Sequence, residues 1–317
     1  MIELRKKDRR QENGTDRTEE SECKKQFEEL QSLLERAMAL QTSMVLFEWD
    51  DEALAPKGAV EHTARVIGSL SEQYQEILAS MRFKELLDVC QKAEKENAGV
   101  FDEVQSAILR EAAEEQERLS CIPPEEYRAY AELTARATGI WTRAREKNDF
   151  ASFAPVLKEI ISYQKKFATY RAKPGQKLYD VMLDTYEKGF NMEMLDPFFE
   201  LMKGKIVPLL KESAERSKTV PDAFLSADYP EAAQAEAARF LAEYEGFDFD
   251  RGVLALSAHP FTTNLHNHDV RITTHYQKRI DSSIFPCCMR RDMLSMNLAS
   301  GMTDTDAGGA GNFDGNA

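Results

Sequence analysis

Four of the five histidines in this 317-residue chain, His259, His266, His268 and His275, fall within seventeen residues, and the same stretch carries Asp269, Arg271 and Thr273 at alternate positions. Two kinds of chemistry suit these side chains. Clustered imidazoles could bind a divalent metal, but His266 and His268 at i, i+2 point the same way only on a strand, and no further His, Cys or carboxylate stands at zinc-ligand spacing. Loop histidines, with one or two packed ones, are the alternative. On a strand, Asp269, Arg271 and Thr273 would share one face and line up an acid, a guanidinium and a hydroxyl. Arg271 could then grip a carboxylate through two parallel N–H bonds while Asp269 holds it in position. A structural salt bridge on a sheet face would use the same residues. A third candidate is SIFPCCMRRDM at 283–293. Its vicinal Cys287 and Cys288 could form a strained disulfide or bind a soft metal, although no ligand set surrounds them.

The elements that must position these groups are largely helical. From about residue 24 to residue 220 apolar residues recur three and four apart. Phe27, Leu30, Leu34, Met38 and Val45 give one apolar face, and Val60, Ala64, Ile67, Leu70, Tyr74 and Ile77 another, followed by Val104, Ile108 and Ala112. Pro123-Pro124 followed by Glu125-Glu126 marks a helix start, because proline fixes φ where no donor is needed and carboxylates suit the positive helix end. That helix should continue through Tyr127, Tyr130, Ala137 and Trp141. Further helices are expected over 153–170, 194–211 and 231–246, the last closed by Gly246. The stretch from Leu46 to Asp50, with Pro56-Lys-Gly58 after it, reads as an aromatic-rich helix end and turn. Residues 253–276 change character, and Val270-Arg-Ile-Thr-Thr274 has the alternation of a strand. The fold class is therefore mainly α, with a small β-sheet near residues 253–276.

Composition narrows the function classes. The net charge is −14 and no basic stripe interrupts the acidic surface, so nucleic acid is not an expected partner. No apolar run approaches a membrane span. Residues 1–22 alternate charges without an apolar signal core and read as a mobile charged leader, which points to the cytoplasm. Five cysteines in such a chain do not make a disulfide framework. Cys23, Cys90 and Cys121 stand apart and are expected as small buried or half-buried side chains. After about residue 286 periodicity disappears, and the glycine-rich ending reads as irregular or disordered.

Four stretches together resemble the carboxypeptidase Taq family of metallocarboxypeptidases: residues 47–65 (FEWDDEALAPKGAVEHTAR), 122–161, 178–190 (LYDVMLDTYEKGF) and 259–276 (HPFTTNLHNHDVRITTHY). The last contains the family's HPF motif as His259, Pro260 and Phe261, and its DxRxT motif as Asp269, Arg271 and Thr273. The resemblance spans about residues 25–285, with four blocks in matching order and spacing. It implies a long-helix bundle lining a groove, release of C-terminal amino acids from peptides, one divalent metal (zinc, cobalt or manganese) and a homodimer. It also implies that the HPF and DxRxT residues line the substrate end of the groove. In the family, two histidines of an HExxH helix and a later glutamate would hold the metal, and the glutamate of HExxH would act as general base.

The family's HExxH helix follows DxRxT after a short interval, whereas this sequence contains no HExxH and reads FPCCMRRDMLSMNLASGM there. Codon arithmetic offers a cause. Residues Cys287 to Met302 can be encoded so that skipping two bases gives LHEAGHALYELGIGD, which contains HExxH. In a different frame, Asp306 to Ala317 can yield MLAGQATSMGM, where the family places the segment with its third metal ligand. Residues 23–285 are thus expected to be the N-terminal part of a helical metallocarboxypeptidase domain, and 286–317 an out-of-frame, unstructured tail. The coding DNA distinguishes this from a divergent tail. No metal ligand, catalytic base or bound cofactor is then expected in this chain. The alternative function is a non-catalytic helical protein that binds peptides through the retained groove.

Overall fold

The computed structural model describes residues 2–276 apart from 98, 220, 222, 259 and 267, and side chains from residue 21 onward, residue 226 also excepted. Cys287, Cys288 and the tail from 286 lie outside the described residues. Among those described, the chain is mainly helical, with nine α-helices, one 3-10 turn and a three-stranded sheet. It separates into two compact units.

The first unit contains α1 (Ile2–Ala53) up to residue 47, α2 (Val60–Leu78), α3 (Met81–Glu96), α4 (Glu103–Ser120), most of α5 (Pro124–Glu146) and a short part of α6 (Phe150–Arg171). The backbone of residues 2–22 is continuous with α1. Phe27, Leu30 and Ala37 of α1 bury against Tyr74 and Leu78 of α2, Phe83, Leu86, Leu87 and Cys90 of α3, and Leu109, Ala112 and Leu119 of α4. The 3–4 spacing puts those side chains on one stripe of each helix, so their burial drives the packing. The helix starts are fixed chemically. The Ser80 hydroxyl accepts the Phe83 N–H at 3.1 Å, and Asp102 forms a capping box with Gln105. Buried Gln75 donates to the carbonyls of Leu119 and Ile122 at 3.0 and 2.7 Å. It thus ties the end of α4 and the link to α5 onto α2. Cys23 and Cys90 are buried and Cys121 is half-buried, as their isolation in the sequence suggests. Burial, with Cys23 adjacent, pushes the Cys90 thiol up to about 12, which removes its nucleophilic thiolate at neutral pH.

The second unit contains the end of α1 from Glu48, residues 141–152, the rest of α6, α7 (Leu178–Tyr186), α8 (Met192–Ser217), α9 (Glu231–Tyr244) and the sheet. Asn191 caps α8 by accepting the Met194 N–H at 3.0 Å, and Asp180 of α7 accepts the Met192 N–H at 2.8 Å. Gly246, with φ of 88°, takes the left-handed conformation just after α9 that glycine adopts without penalty. The strands are β1 (Gly252–Leu256), β2 (Thr262–His266) and β3 (Asp269–Thr274), in the order β1-β3-β2. Central β3 runs parallel to β1, with Val253 opposite Arg271, and antiparallel to β2, with Thr263 opposite Arg271. Val270 and Ile272 of β3 pack with Ala242 and Phe247 in a small core of their own. The side-chain period of two therefore turns Asp269, Arg271 and Thr273 to the opposite face. No described helix is long and apolar enough to cross a membrane.

Candidate functional site

Arg271 stands at the middle of β3, on the face that does not pack with Phe247. Its Nε donates to Asp269 Oδ1 at 2.9 Å and its Nη2 to Asp269 Oδ2 at 2.8 Å. Residues two apart on a strand share a face, and this two-bond fork is the geometry in which a guanidinium matches a carboxylate. Asp269 raises the pKa of Arg271, so the cation persists at every working pH. The Asp269 pair occupies the Nε–Nη2 edge. The terminal edge of the guanidinium carries further N–H groups on Nη1 and Nη2 that the Asp269 pair does not use. The side chain of Arg271 is 21% exposed, restrained but still reachable from solvent.

The sequence did not tie Trp49 to this place. The structure brings the Arg271 guanidinium carbon to 4.7 Å from the centroid of the Trp49 ring. Trp49, near the end of α1, is buried, and its Nε1–H meets no acceptor among the described residues. No local pattern links the FEWD stretch to a strand so far along the chain. Its place among the blocks shared with the carboxypeptidase family was the only pointer.

Thr273 shares the face of Arg271 but has no exposure. Its hydroxyl accepts the Phe261 N–H at 2.9 Å and the Ser257 hydroxyl at 2.7 Å, and lies 3.2 Å from the Phe261 carbonyl. The Thr273 N–H donates to that same carbonyl at 2.8 Å. Its donors and acceptors are therefore spent on fastening the segment before β2 to the central strand. Phe261 is buried, Pro260 half-buried, and His259 lies outside the described residues. Ser257, which no sequence pattern singled out, completes this buried clasp.

The remaining histidines take local roles. His266 ends β2, and the His268 N–H donates to His266 Nδ1 at 3.2 Å, with the two rings stacked 5.5 Å apart. That bond engages the His266 Nδ1 lone pair, which would otherwise be available to a metal. His275 Nδ1 lies 3.0 Å from the Ser257 carbonyl. Among the described residues no group of three or more His, Cys, Asp or Glu side chains gathers as a metal site. The described residues do not fit a resident metal.

Beside Trp49, burial raises the Glu48 carboxyl to about 7, and burial followed by acidic neighbours raises Asp51 and Glu52. By surface area the Glu48 side chain is nonetheless exposed, so water screens much of that cost. Because the folded chain holds this proton more tightly than the unfolded one, the contribution is fully present below about 4.5. It is lost as pH rises through about 7. Glu48→Gln is expected to melt at the same temperature as the parent at pH 4.5 and at a higher temperature at pH 8. Equal melting temperatures at both pH values would remove Glu48 from this account.

The fold is shared with a class of known proteins, the metallocarboxypeptidases: the Trypanosoma cruzi metallocarboxypeptidase 1 superposes with a TM-score of 0.70 at 28% identity, covering 84% of this chain and 53% of that chain. The model of the carboxypeptidase Taq (M32) metallopeptidase family matches residues 29–291, and the chain belongs to that family. It is 34% identical over 247 residues to carboxypeptidase 1 of Bacillus subtilis strain 168, covering 78% of this chain and 48% of that protein. It is 32% identical over 244 residues to thermostable carboxypeptidase 1 of Pyrococcus furiosus, covering 76% of this chain and 48% of that one. The solved structure of BsuCP superposes with a TM-score of 0.79 at 32% identity, covering 84% of this chain and 53% of that chain. The resemblance carried by the four sequence blocks is thereby borne out. The chain spans about half the length of the curated relatives it matches.

Proposed function

We propose that this sequence supplies the amino-terminal, peptide-holding portion of a metal-dependent carboxypeptidase that removes C-terminal amino acids. The observation that carries this reading is Arg271, oriented on one edge by Asp269 and 21% exposed, with further N–H groups on Nη1 and Nη2 suited to a second carboxylate. A peptide's terminal carboxylate accepts two parallel N–H bonds there, which an amide cannot match because one of its two terminal atoms is itself a donor. The Phe261 segment, fastened by Thr273, forms the neighbouring part of the substrate-binding surface, with His259 and Pro260 preceding it. The intact enzyme of this reading is a cytoplasmic homodimer using zinc, cobalt or manganese.

The 317-residue chain itself, in this reading, holds no catalytic metal and does not hydrolyse peptides. Its sequence contains no HExxH, and this reading takes residues from about 286 as an out-of-frame translation. The purified chain, supplied with zinc, cobalt or manganese, is expected to bind an N-acetylated dipeptide acid in preference to its amide and release no amino acid. Metal-dependent release of the terminal residue would overturn the inactivity. Equal affinity for acid and amide would overturn the carboxylate receptor.

A further inference from the structure

A guanidinium on a flexible stem recognises a carboxylate selectively only when its plane is fixed, since the two N–H bonds must lie in that plane. Asp269 fixes one edge of Arg271, but a single edge contact still permits rocking about the line of the two bonds. The Arg271 guanidinium carbon lies over the Trp49 ring, 4.7 Å from its centroid, and this second contact supplies the missing restraint. Tryptophan is the strongest of the aromatic partners for a cation, and stacking with a planar guanidinium favours a defined orientation.

The buried indole nitrogen is an independent pointer to the same role. Its N–H meets no acceptor among the described residues, although burying a donor in that way is unfavourable. Phenylalanine would fill much of the same space without that cost. What tryptophan offers here beyond bulk is its larger, more electron-rich face, and that face is turned to Arg271.

We infer that Trp49 is a positioning residue for carboxylate recognition: it holds the Arg271 plane so that the terminal edge selects a peptide's free C-terminal carboxylate over the corresponding amide. This rests on the reading of Arg271 as the carboxylate receptor. It assigns to the end of α1 a part in substrate selection that the DxRxT residues alone do not provide.

The test uses the full 317-residue chain, with acetyl-alanyl-phenylalanine and its C-terminal amide as probes in calorimetric titrations. Trp49→Phe, which keeps a face, is expected to lower the acid-over-amide ratio about twofold to threefold. Trp49→Leu, which keeps bulk only, should lower it about tenfold while amide affinity stays constant. The 15N–1H signal of Arg271 Nε should show a ring-current shift in the parent and in Trp49→Phe that Trp49→Leu loses. Equal acid-over-amide ratios in the Phe and Leu variants, with the ring-current shift lost only in Leu, would overturn the role of Trp49 and leave the receptor standing. If Arg271→Gln keeps the parent's ratio, the receptor falls and the role of Trp49 with it. Should Trp49→Leu not fold, a Trp49→Phe ratio indistinguishable from Trp49→Met would equally refute the inference.

Discussion

Arg271→Gln is expected to lower affinity for a peptide acid about 100-fold and to leave affinity for the amide almost unchanged. A charge-assisted, two-bond contact to a carboxylate contributes roughly 2–3 kcal/mol, which is on the order of 30- to 150-fold. Glutamine keeps a single donor group and no charge. It also strands the Asp269 carboxylate, which then repels the incoming anion. Adding Asp269→Asn should therefore recover part of the lost affinity, and the double-mutant cycle isolates that repulsion. Stability should scarcely change, since Asp269 and Arg271 side chains are 38% and 21% exposed and such pairs contribute about 0–1 kcal/mol. Calorimetry on the two peptides and urea unfolding of each variant separate the effects. A variant that loses stability and acid affinity in parallel, with no gain in the double mutant, would show a structural ion pair and nothing more.

Thr273→Val carries the opposite signature, a large loss of stability. Valine matches the shape of threonine but cannot accept the Phe261 N–H or the Ser257 hydroxyl, both of which it would leave buried beside methyl groups. An unsatisfied buried donor costs about 1–3 kcal/mol, so the pair sums to roughly 2–4 kcal/mol after the Ser257 hydroxyl reorients. Thr273→Ser retains the hydroxyl and should lose only about 1 kcal/mol, the value of one buried methyl. Urea denaturation gives the stabilities, and hydrogen exchange of the Phe261 amide reports the clasp directly. If Val and Ser behave alike, the hydroxyl is not what holds the Phe261 segment.

The sequence made the helical part legible because its packing is written locally. Phe27, Leu30 and Leu34 recur at helical spacing, and the stripe they form is the one buried against α2, α3 and α4. The Asp269–Arg271 pair was legible for the same reason, since two residues on one strand face need no distant information. Thr273 shows where local reading stops. Alternation puts it on the face of Arg271, but only the fold reveals that the chain before β2 passes over it and consumes its hydroxyl. His266 and His268 look like paired ligands at strand spacing, yet the strand ends at His266 and the turn sends a backbone N–H into the imidazole. Trp49 was the least legible of all, because its partner is set by tertiary approach and no periodicity encodes it.

The contact of Arg271 with the Trp49 ring also orders events in time. Trp49 leaves the ribosome early, whereas Arg271 emerges only after every α-helix described here has been synthesised. At a typical translation speed of about 5–20 residues per second, the indole face waits on the order of ten seconds or more for its cation. The Trp49–Arg271 contact is consequently a late product of folding, joining distant parts of the chain whose loop-closure entropy must be met first. A nascent chain arrested before β3 would contain all nine described α-helices and lack the arginine proposed to select a carboxylate.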